Sequence, residues 1–330
     1  MSITVLKPGL LSSFQDLGRF GHQHLGVAVS GAMDDCAHRL ANTLVGNSEE
    51  AATLEITLVG PSLRFDAPAC IAVSGADLSP ALNAQPVPNN RPVVVRTGDV
   101  LTFGARKAGL RAYIAWRGGI DLPVVLSSRS TYLRGGFGGF RGRALKKGDV
   151  LSMNAPLHGH SSHGLDELED ELWKIQVYLP AILGLVPRSA IRVMCGEHTS
   201  LFTDASVAQF FSKEFRVRPE SERMGYRLEG PTLALRSRSD LLSEPTCFGA
   251  VQVPPDGNPI ILMADRQTTG GYAKIAHVAT VDLPVVAQRM PGETLRFTEI
   301  TPTHGRQLDG QREEAFNGLR QALTSLRGLF

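Results

Sequence analysis

The sequence predicts a mainly β protein built from two related barrel-like or sandwich domains, with a few helices at the periphery. Short runs rich in β-branched residues, each bounded by Gly, Pro or Asp, recur along the whole chain. The 34 glycines fit a fold with many tight turns. At 330 residues, the chain is long enough for two domains that each bury a core.

Strand signals occur in both halves of the chain. They cover residues 3–6, 69–73, 92–95, 100–103, 111–116, 175–179, 190–194, 250–253 and 294–297. Helical periodicity is found in residues 33–44, 203–211 and 312–326. The first helix is followed by Gly46-Asn47, a typical C-cap, and Ser30 or Asp34 could cap its N-terminus. Thr203 could cap the second helix.

A polar segment near the middle divides the chain. Residues 154–171 are rich in Gly and Ser and then acidic, which favours a solvated linker over a metal site at His158, His160 and His163. We therefore expect a first domain at 1–155, a linker at 156–170, and a second domain at 171–330 that ends in a helix. Residues 60–65 resemble 230–235, and 97–103 resemble 291–297, which suggests an internal duplication. Each half is expected to fold alone.

Charge and hydropathy exclude several classes of partner. A formal charge of +2 with interspersed signs indicates neither a nucleic-acid nor a membrane surface. The longest apolar run, residues 177–186, is too short to span a bilayer, and the N-terminus lacks the layout of a signal peptide. We expect a cytoplasmic protein. The cysteines, none in a C-x-x-C pair, are expected to be reduced and mostly buried, without the basic setting of a nucleophile.

The most informative polar segment is residues 264–274, Ala-Asp-Arg-Gln-Thr-Thr-Gly-Gly-Tyr-Ala-Lys. Residues 258–263 before it and 275–281 after it have the pattern of strands, so it should form their connection. Gly270-Gly271 is expected to turn through positive φ and to let backbone N–H groups approach an anion or an oxyanion. The alternative is a hairpin whose polar side chains satisfy only turn amides.

Other polar islands interrupt the apolar pattern. In Gln15-Asp16-Leu17-Gly18-Arg19, the side chains of Asp16 and Arg19 form either a structural ion pair or a charged pair at a cleft. Ser74-Gly75 follows a buried run and would offer backbone amides at the end of a strand. Arg117-Gly118-Gly119 and Arg223-Met224-Gly225 are arginine-containing turns. The glycine-rich run 134–143 is either a mobile lid that places arginine on an anion or plain disorder.

Taken in order, these islands resemble the biotin-dependent carboxyltransferase / allophanate hydrolase subunit 2 family, from about residue 3 to about 300. The matching motifs are Gln15-Asp16-Leu17-Gly18-Arg19, Ser30-Gly31-Ala32-Met33-Asp34, Asn42 with Gly46-Asn47, Leu54-Glu55, Gly60-Pro61, Arg223-Met224-Gly225, Gln252-Val253-Pro254 and Asp265 through Tyr272. The resemblance implies two cyclophilin-like β-barrel domains. Bacterial members include the C subunit of ATP-dependent 5-oxoprolinase and the KipA protein.

Three functions follow from the resemblance. The first is the C subunit of 5-oxoprolinase, a lactam hydrolase that uses ATP with Mg²⁺ and acts with two further subunits, one KipI-like and one LamB/YcsF-like. The second is a biotin-dependent carboxyltransferase subunit; since the chain has no Met-Lys-Met segment, biotin would arrive on a separate carrier. The third is a non-catalytic regulator that binds a KipI-like kinase inhibitor.

For the first function, residues are assigned by the chemistry of amide hydrolysis, which needs a carboxylate, cations and oxyanion donors. The expected catalytic residues are Asp265, Thr268, Thr269, Tyr272 and Arg223. The expected substrate- or nucleotide-binding residues are Gln15, Asp16, Arg19, Ser74, Gly75, Arg117, Gln252, Gln267, Gly270 and Gly271. No resident metal is expected.

Overall fold

The structure, a computed structural model, describes residues 1–155, 157, 162–174, 177–183, 188, 190–237 and 241–324. The chain divides into two compact units. The first unit comprises Met1–Gly18, Asp34–Pro180 and Glu314–Phe330, and the second comprises Arg19–Met33 and Ala181–Glu313. The division differs from the predicted boundaries, because a segment from each end of the chain belongs with the unit formed mainly by the other half.

The first unit contains two antiparallel sheets. Its strands are β1 (Ser2–Lys7), β2 (Leu11–Gln15), β3 (Thr53–Thr57), β4 (Ser62–Phe65), β5 (Ala69–Asp77), β6 (Pro80–Leu82), β7 (Gln85–Pro86), β8 (Pro92–Val95), β9 (Val100–Phe103), β10 (Ala108–Trp116) and β11 (Val150–Ser152). One sheet has the order β11-β1-β4-β9-β6-β7 and the other β2-β3-β10-β5-β8. Alternate residues of both sheets, such as Val5, Leu63, Ile56 and Ile114, meet in one core.

Helix α1 (Asp35–Leu44) covers the outer face of the five-stranded sheet. Its first turn is capped by Asp34, whose Oδ1 accepts a hydrogen bond from the Ala37 N–H at 2.8 Å. Gly46, with φ 72°, reverses the chain after the helix as a C-cap requires. Both ends of α1 thus follow from the local sequence. Of the two predicted N-cap candidates, Ser30 and Asp34, it is Asp34 that caps the helix.

Helix α2 (Ser162–Lys174) occupies most of the predicted linker. Leu165, Leu168 and Leu172 recur at helical spacing and are buried, which supplies the packing energy that a solvated linker lacks. Arg96 Nη2 contacts Asp166 Oδ1 at 2.5 Å and Glu169 Oε2 at 2.8 Å. The linker prediction is therefore wrong for residues 162–170. The side chains of His158, His160 and His163 lie outside the described residues.

The second unit is a closed barrel with the order β12-β19-β16-β17-β14-β13-β20. Its strands are β12 (Ala190–Cys195), β13 (Phe215–Val217), β14 (Gly225–Glu229), β15 (Glu244–Pro245), β16 (Ala250–Val253), β17 (Ile260–Leu262), β18 (Thr269–Gly270), β19 (Ala273–Val278) and β20 (Thr294–Glu299), of which β15 and β18 form a separate ladder. Within the ring, β12 and β20 pair in parallel. The mainly β prediction is confirmed, and so is a barrel in this unit.

Three further helices complete the fold of the described residues. They are α3 (Asp204–Ser212), α4 (Leu283–Ala287) and α5 (Pro302–Ala322). Thr203 caps α3 as predicted, accepting from the Ser206 N–H at 3.2 Å. Helix α5 begins ten residues before the predicted start, because its first turns lack an apolar stripe. In the described part of the chain, no helix is both long and apolar enough to cross a membrane.

Two other predictions need correction. Residues 177–179 of the predicted strand 175–179 form no strand, whereas residues 175 and 176 lie outside the described part of the chain. The glycine-rich run 134–143 is folded rather than disordered. Gly142 N donates to Gly138 O at 2.9 Å, and Arg143 forms two hydrogen bonds with Asp149, at 2.8 and 2.7 Å. One of its three arginines is thus held by an acid of its own unit.

Candidate functional site

Most of the polar segment 264–274 connects β17 and β19 of the second unit, as predicted, and its last two residues, Ala273 and Lys274, begin β19. Within it, Thr269 and Gly270 form β18, which pairs with β15. The backbone here belongs to a two-stranded ladder. Neither Gly270 nor Gly271 has positive φ, so the expected turn through that region is wrong. Gly270 instead allows a close approach, since a methyl group at this position would lie 2.8 Å from Gln252 Nε2.

Asp265 is a buried ion-pair partner of Arg223. Arg223 Nε donates to Asp265 Oδ2 and Arg223 Nη2 to Asp265 Oδ1, both at 2.9 Å. The Asp265 N–H also donates to the Arg223 carbonyl at 2.8 Å. Both side chains are almost completely buried. This bidentate ion pair holds the start of the polar segment against the turn before β14.

The segment 19–33, from the N-terminal part of the chain, belongs to the same unit. Arg223 Nη2 donates to the Gly31 carbonyl at 2.7 Å, and Met33 is part of the barrel core. Arg19 is fully buried, and its N–H donates to the Val29 carbonyl at 2.7 Å. Arg19, Arg223 and Asp265 therefore lie in one unit, although they were predicted from different halves of the sequence.

Two glutamine amides adjoin Gly270. Gln267 Nε2 donates to Gln252 Oε1 at 3.2 Å. Gln252 is only 1% exposed, yet within the described residues its Nε2 donates to no acceptor. A buried amide N–H without an acceptor costs on the order of 1–3 kcal/mol and is a ready donor for a carbonyl or oxyanion ligand. Gln252, Gln267 and Gly270, three of the expected binding residues, are thus brought together.

The other predicted residues of this segment are more exposed. The Thr268 carbonyl accepts from the Thr246 N–H at 3.0 Å, which ties the segment to the residue after β15. Thr269 is exposed, and Tyr272 is 48% exposed. A methyl group at Gly271 would lie 3.1 Å from the Leu241 carbonyl. Thr269 and Tyr272 are therefore the predicted residues of this segment that are most accessible to solvent.

Beside this segment lies a charged cluster that the sequence analysis missed. Lys274, which is 3% exposed, places its Nζ 3.1 Å from Glu197 Oε1 and 2.9 Å from Glu244 Oε2. His277 Nε2 is 2.5 Å from Glu197 Oε2, and its Nδ1 is 3.3 Å from Cys247 Sγ. The members are spread over 81 positions of sequence, so no local motif connects them.

A β-bulge brings Lys274 and His277 onto one face of β19. Gln252 pairs with Lys274 and Ala250 with His277, and the register shifts between these pairs. Without the extra residue, a three-residue separation would put the two side chains on opposite faces. Val251 and Ile275 point into the barrel core, so Gln252, Lys274 and His277 lie on the opposite face.

Electrostatic coupling in this cluster shifts several pKa values. The hydrogen bond to Cys247 and that to Glu197 raise the pKa of His277 to about 9. Desolvation alone would raise the pKa of Glu197, but hydrogen bonds from its own backbone, His277 and Lys274 lower it to about 2. Contacts with Glu244 and Glu197 outweigh burial and raise the pKa of Lys274. The cluster therefore contains imidazolium and carboxylate groups at neutral pH.

In the first unit, Asp16 is held by hydroxyl and amide donors. Its Oδ1 accepts from Ser128 Oγ at 2.8 Å, from Ser130 Oγ at 2.5 Å and from the Gly18 N–H at 2.8 Å. Its Oδ2 accepts from the Arg129 N–H at 2.5 Å. Such a donor shell stabilises a carboxylate and pins residues 128–130 to the end of β2.

Gln15 lies next to this carboxylate in sequence and is fully buried on β2. Its Nε2 donates to Ser13 Oγ at 3.1 Å and to the Thr131 carbonyl at 3.2 Å. Its Oε1 accepts no hydrogen bond from the described residues. Gln15 and Asp16 are thus brought to the same 128–131 segment.

The strand-end prediction for Ser74 and Gly75 is wrong. Strand β5 runs through Asp77, so both residues lie inside it, paired with Tyr113 and Ala112. Gly75 has φ 87°, and a methyl group there would be 2.5 Å from the Arg111 carbonyl. The glycine therefore meets a steric need of the sheet.

Arg117 follows β10, at the turn that contains Gly118 and Gly119. Its N–H donates to the Cys70 carbonyl at 2.9 Å. Asn47 fixes the turn, because its Oδ1 accepts from the Gly118 N–H at 2.8 Å and its Nδ2 donates to the Trp116 carbonyl at 2.7 Å. Arg117 thus lies at a turn that is held in place by hydrogen bonds from Asn47.

A buried polar layer under α1 was also missed as a unit. Tyr113 Oη donates to Glu55 Oε2 and accepts from the Asp34 N–H, both at 2.8 Å. Burial raises the pKa of Tyr113 well above its usual value and lowers the pKa of the fully buried His38. Alternating polar residues on β3 and β10 could have indicated this layer, since Leu54 and Ile56 point to the core.

No metal centre is formed by the residues that the structure describes. Among them, no group of three His, Cys, Asp or Glu side chains is arranged to hold an ion. The charged cluster around Lys274 is instead balanced by its own cations and carboxylates.

The sequence matches a known family of domains over most of its length. Residues 25–299 match the family described as carboxyltransferase domain, subdomain A and B. The chain is 35% identical to the 5-oxoprolinase C subunit of Haemophilus influenzae over 97% of its own length and 98% of that protein. It is 35% identical to the 5-oxoprolinase C subunit of Escherichia coli, over 91% of each.

A solved structure gives the same result. The Kluyveromyces lactis urea carboxylase superposes with a TM-score of 0.86 at 35% identity, over 96% of this chain and 29% of that one. These matches identify the closed barrel and its polar connection as part of a carboxyltransferase-type domain. The chain belongs to the carboxyltransferase domain family, subdomain A and B. The resemblance drawn from the polar motifs is confirmed.

Proposed function

We propose that the chain is the C subunit of an ATP-dependent 5-oxoprolinase, which opens 5-oxo-L-proline to L-glutamate. The observation behind this proposal is the end-to-end match to a protein named as the C subunit of 5-oxoprolinase, since the match covers 98% of that relative. The urea carboxylase match covers only 29% of the longer chain. The match to the 5-oxoprolinase C subunit thus extends over almost the whole of that protein, whereas the match to urea carboxylase concerns one part of it.

The name of these relatives implies further subunits, and we propose a KipI-like protein and a LamB/YcsF-like protein as the partners. ATP with Mg²⁺ is the co-substrate. A lactam carbonyl is a poor electrophile, and transfer of a phosphoryl group to its oxygen makes the carbon open to attack by water. The protein must then hold the substrate and stabilise the charge that develops on oxygen.

Among the described residues, Gln252 Nε2, which has no acceptor, is the best donor for such an oxygen. The side chain is buried and held in place through Gln267, and the Gly270 backbone can lie close to this nitrogen because it carries no Cβ. Tyr272 and Thr269 could orient the substrate from the exposed side. We propose that Asp265 positions the segment through Arg223 rather than accepting a proton, since both of its oxygens are engaged.

Two of the cations in and around the segment, Arg223 and Lys274, are already neutralised, and a third, Arg266, is largely buried. Arg223 is paired with Asp265, and Lys274 contacts both Glu197 and Glu244. A triphosphate needs uncompensated positive charge or Mg²⁺. We therefore propose that this segment binds the neutral lactam amide and that the ATP phosphates are held mainly by the partner proteins.

The test is reconstitution. The chain, mixed with its purified KipI-like and LamB/YcsF-like partners, should release ADP and glutamate only when 5-oxoproline is present. Gln252→Leu should lower kcat by about 10²–10³, the usual effect of removing one oxyanion donor. Gln209→Leu, on α3 of the same unit, is the matched control and should retain activity. Unchanged kcat in Gln252→Leu, with normal assembly, would reject the role of this amide.

A biotin-dependent carboxyltransferase is the second candidate, and the superposition on urea carboxylase with a TM-score of 0.86 favours it. The same donor would then stabilise the ureido oxygen of biotin on a separate carrier protein. Avidin distinguishes the two functions, because it sequesters biotin. Loss of activity of the reconstituted complex on addition of avidin would support the carboxyltransferase, and full activity would support the lactam hydrolase.

A further inference from the structure

A thiol, an imidazole and a carboxylate are hydrogen-bonded in series on the outer face of the barrel. Cys247 lies between β15 and β16 and is exposed. Its Sγ is 3.3 Å from His277 Nδ1, and His277 Nε2 is 2.5 Å from Glu197 Oε2. The three residues come from three separate segments, so the fold has assembled them. This is the order of nucleophile, base and orienting acid found in thiol acyl-transfer sites.

We propose that Cys247 is a nucleophile toward carbonyl carbons that bear a good leaving group, such as an acyl phosphate or an activated ester. His277 is its proton acceptor and donor, and Glu197 is a positioning residue that holds the His277 ring. The proposal does not depend on the lactam-opening function, because it requires neither ATP nor a partner protein.

The surroundings favour the thiolate. Partial desolvation would raise the pKa of Cys247, but the hydrogen bond from His277 and the nearby Arg266 guanidinium outweigh it and lower this pKa, despite the opposing charge of Glu197. The other titratable groups of this cluster are Lys274, Glu244 and His198. Lys274 Nζ lies 2.9 Å and His198 Nε2 3.8 Å from Glu244 Oε2.

Cys195 provides a contrast within the same unit. It is also exposed, but its Sγ–H donates to Glu299 Oε1 at 3.0 Å. Burial of the sulfur and the hydrogen bond to this carboxylate raise the pKa of Cys195 to about 11. Two exposed cysteines on one barrel therefore face opposite electrostatic settings, a cation for Cys247 and an anion for Cys195.

An oxyanion donor lies beside the same segment. Gln252 Nε2 is buried and finds no acceptor among the described residues. A methyl group at Gly270 would lie 2.8 Å from this nitrogen and 3.5 Å from Cγ2 of Thr246, the residue before Cys247. Gln252 Nε2 and the residue that precedes Cys247 thus both adjoin Gly270. An unsatisfied donor is the group that a tetrahedral intermediate requires.

The chemistry balances without an outside oxidant or reductant. The thiolate attacks the carbonyl carbon, a C–S bond forms, and the leaving group departs with its electron pair and, where it needs one, a proton from His277. Once His277 has given its proton to the leaving group or to solvent, water attacks the thioester and the neutral imidazole accepts a proton from it. The C–S bond breaks, and the carboxylic acid leaves while the thiolate is regenerated.

The first test compares the two exposed cysteines in the unmodified protein. Iodoacetamide is added at neutral pH, and alkylation of each cysteine is followed by peptide mass spectrometry. At neutral pH, a larger fraction of Cys247 than of Cys195 is thiolate, although a thiolate of lower pKa is intrinsically less nucleophilic. Because the first effect is larger, we expect Cys247 to react at least about tenfold faster than Cys195. Equal rates, or faster reaction at Cys195, would overturn the proposal.

The second test measures the pH profile of Cys247 alkylation. In wild type, the rate should reach half its maximum below the ordinary thiol pKa of 9.0. In His277→Asn the midpoint should move to higher pH, because the imidazolium that stabilises the thiolate is lost. In Glu197→Gln, loss of the counter-ion of His277 acts in the same direction and loss of the carboxylate charge acts against it, so a smaller shift to higher pH is expected. A purely structural role for either residue would leave the midpoint in place. An unchanged midpoint in His277→Asn rejects the base assignment.

The third test detects acyl transfer. 4-Nitrophenyl acetate should release one burst of nitrophenolate per wild-type chain, as the acyl-enzyme forms. The burst should be absent from Cys247→Ser and present in the matched control Cys195→Ser. Absence of a burst from wild type, or its persistence in Cys247→Ser, would show that Cys247 is not an acyl acceptor.

Discussion

At the scale of single residues, Asp265 shows how a tertiary contact changes the role inferred for a side chain. Its sequence context favours a catalytic carboxylate, but both oxygens are bound by Arg223 at 2.9 Å, and neither residue is exposed. Removing one member of a buried pair leaves an uncompensated charge, whereas removing both is much less costly. The pair is therefore best tested through stability.

Asp265→Asn should lower the free energy of unfolding by about 3–5 kcal/mol, because Arg223 remains buried without its counter-ion. The double variant Arg223→Met with Asp265→Asn should recover a large part of this loss. Urea unfolding followed by tryptophan fluorescence and circular dichroism measures both. Equal stability of wild type and Asp265→Asn would contradict the buried-pair interpretation.

His277 and Glu197 predict a pH dependence with a definite sign. The folded pKa of His277, about 9, exceeds its ordinary 6.5, so its stabilisation is complete below 6.5 and lost as pH rises through about 9. The folded pKa of Glu197, about 2, lies below its ordinary 4.5, so its stabilisation is complete above 4.5 and lost as pH falls through about 2.

The stability difference between wild type and His277→Asn should therefore be largest between pH 4.5 and 6.5 and should shrink above pH 9. Urea unfolding at several pH values measures it, with His304→Asn at the start of α5 as the control. A difference that grows above pH 9 would have the wrong sign for this ion pair.

At the scale of elements, α5 shows why a sequence pattern can predict only part of a helix. Its C-terminal part carries the apolar stripe that predicted it, including the buried Phe316 and Leu319. Its first turns contain Gly305 and Gly310, which weaken any helical signal. Pro302 at the first position is favourable there, because its missing N–H has no partner in the first turn of a helix.

Gly310→Ala should stabilise the protein by about 0.5–1 kcal/mol, because alanine loses less backbone entropy in a helix. A methyl group at Gly310 would meet nothing within 4 Å. Gly270→Ala is the matched control, and it should destabilise, since its methyl group would lie 2.8 Å from Gln252 Nε2. Thermal unfolding of the two variants checks the opposite signs, and destabilisation by Gly310→Ala would argue against α5 at this position.

At the scale of the whole molecule, each unit depends on a segment from a distant part of the chain. Phe316 belongs to the first unit, where Arg39 Cζ lies 3.9 Å from its ring centroid, and Arg320 lies 3.3 Å from Glu49. Gly31 and Met33 belong to the second unit, where they contact Arg223 and the barrel core. The expectation that each half of the sequence folds alone conflicts with this division.

Fragments separated within residues 158–161 should therefore be less stable alone than together. The N-terminal fragment lacks the end of α5, and the C-terminal fragment lacks the segment 19–33. Co-expression should restore cooperative unfolding, measured by circular dichroism. The uncut chain is the control. Two fragments that each unfold cooperatively, at the denaturant concentration of the intact protein, would show that these segments are dispensable.

The sequence by itself determined the fold class, much of the strand pattern and the family. The predicted strands 92–95, 100–103 and 250–253 match β8, β9 and β16 residue for residue. Strand alternation, helix caps and turn glycines act over a few neighbouring residues, so a short window of sequence contains them. The ordered polar motifs were enough to indicate the carboxyltransferase domain family.

Only the tertiary structure decided which polar groups meet. Arg223 and Asp265 are 42 positions apart, Cys247 and His277 are 30 apart, and His277 and Glu197 are 80 apart. Barrel closure and a β-bulge bring these side chains within hydrogen-bonding distance, and contact then sets their charges and pKa values. Because electrostatic and hydrogen-bond energies depend on separation in space, the pattern along the chain could not reveal a buried pair at Asp265 or an activated thiol at Cys247.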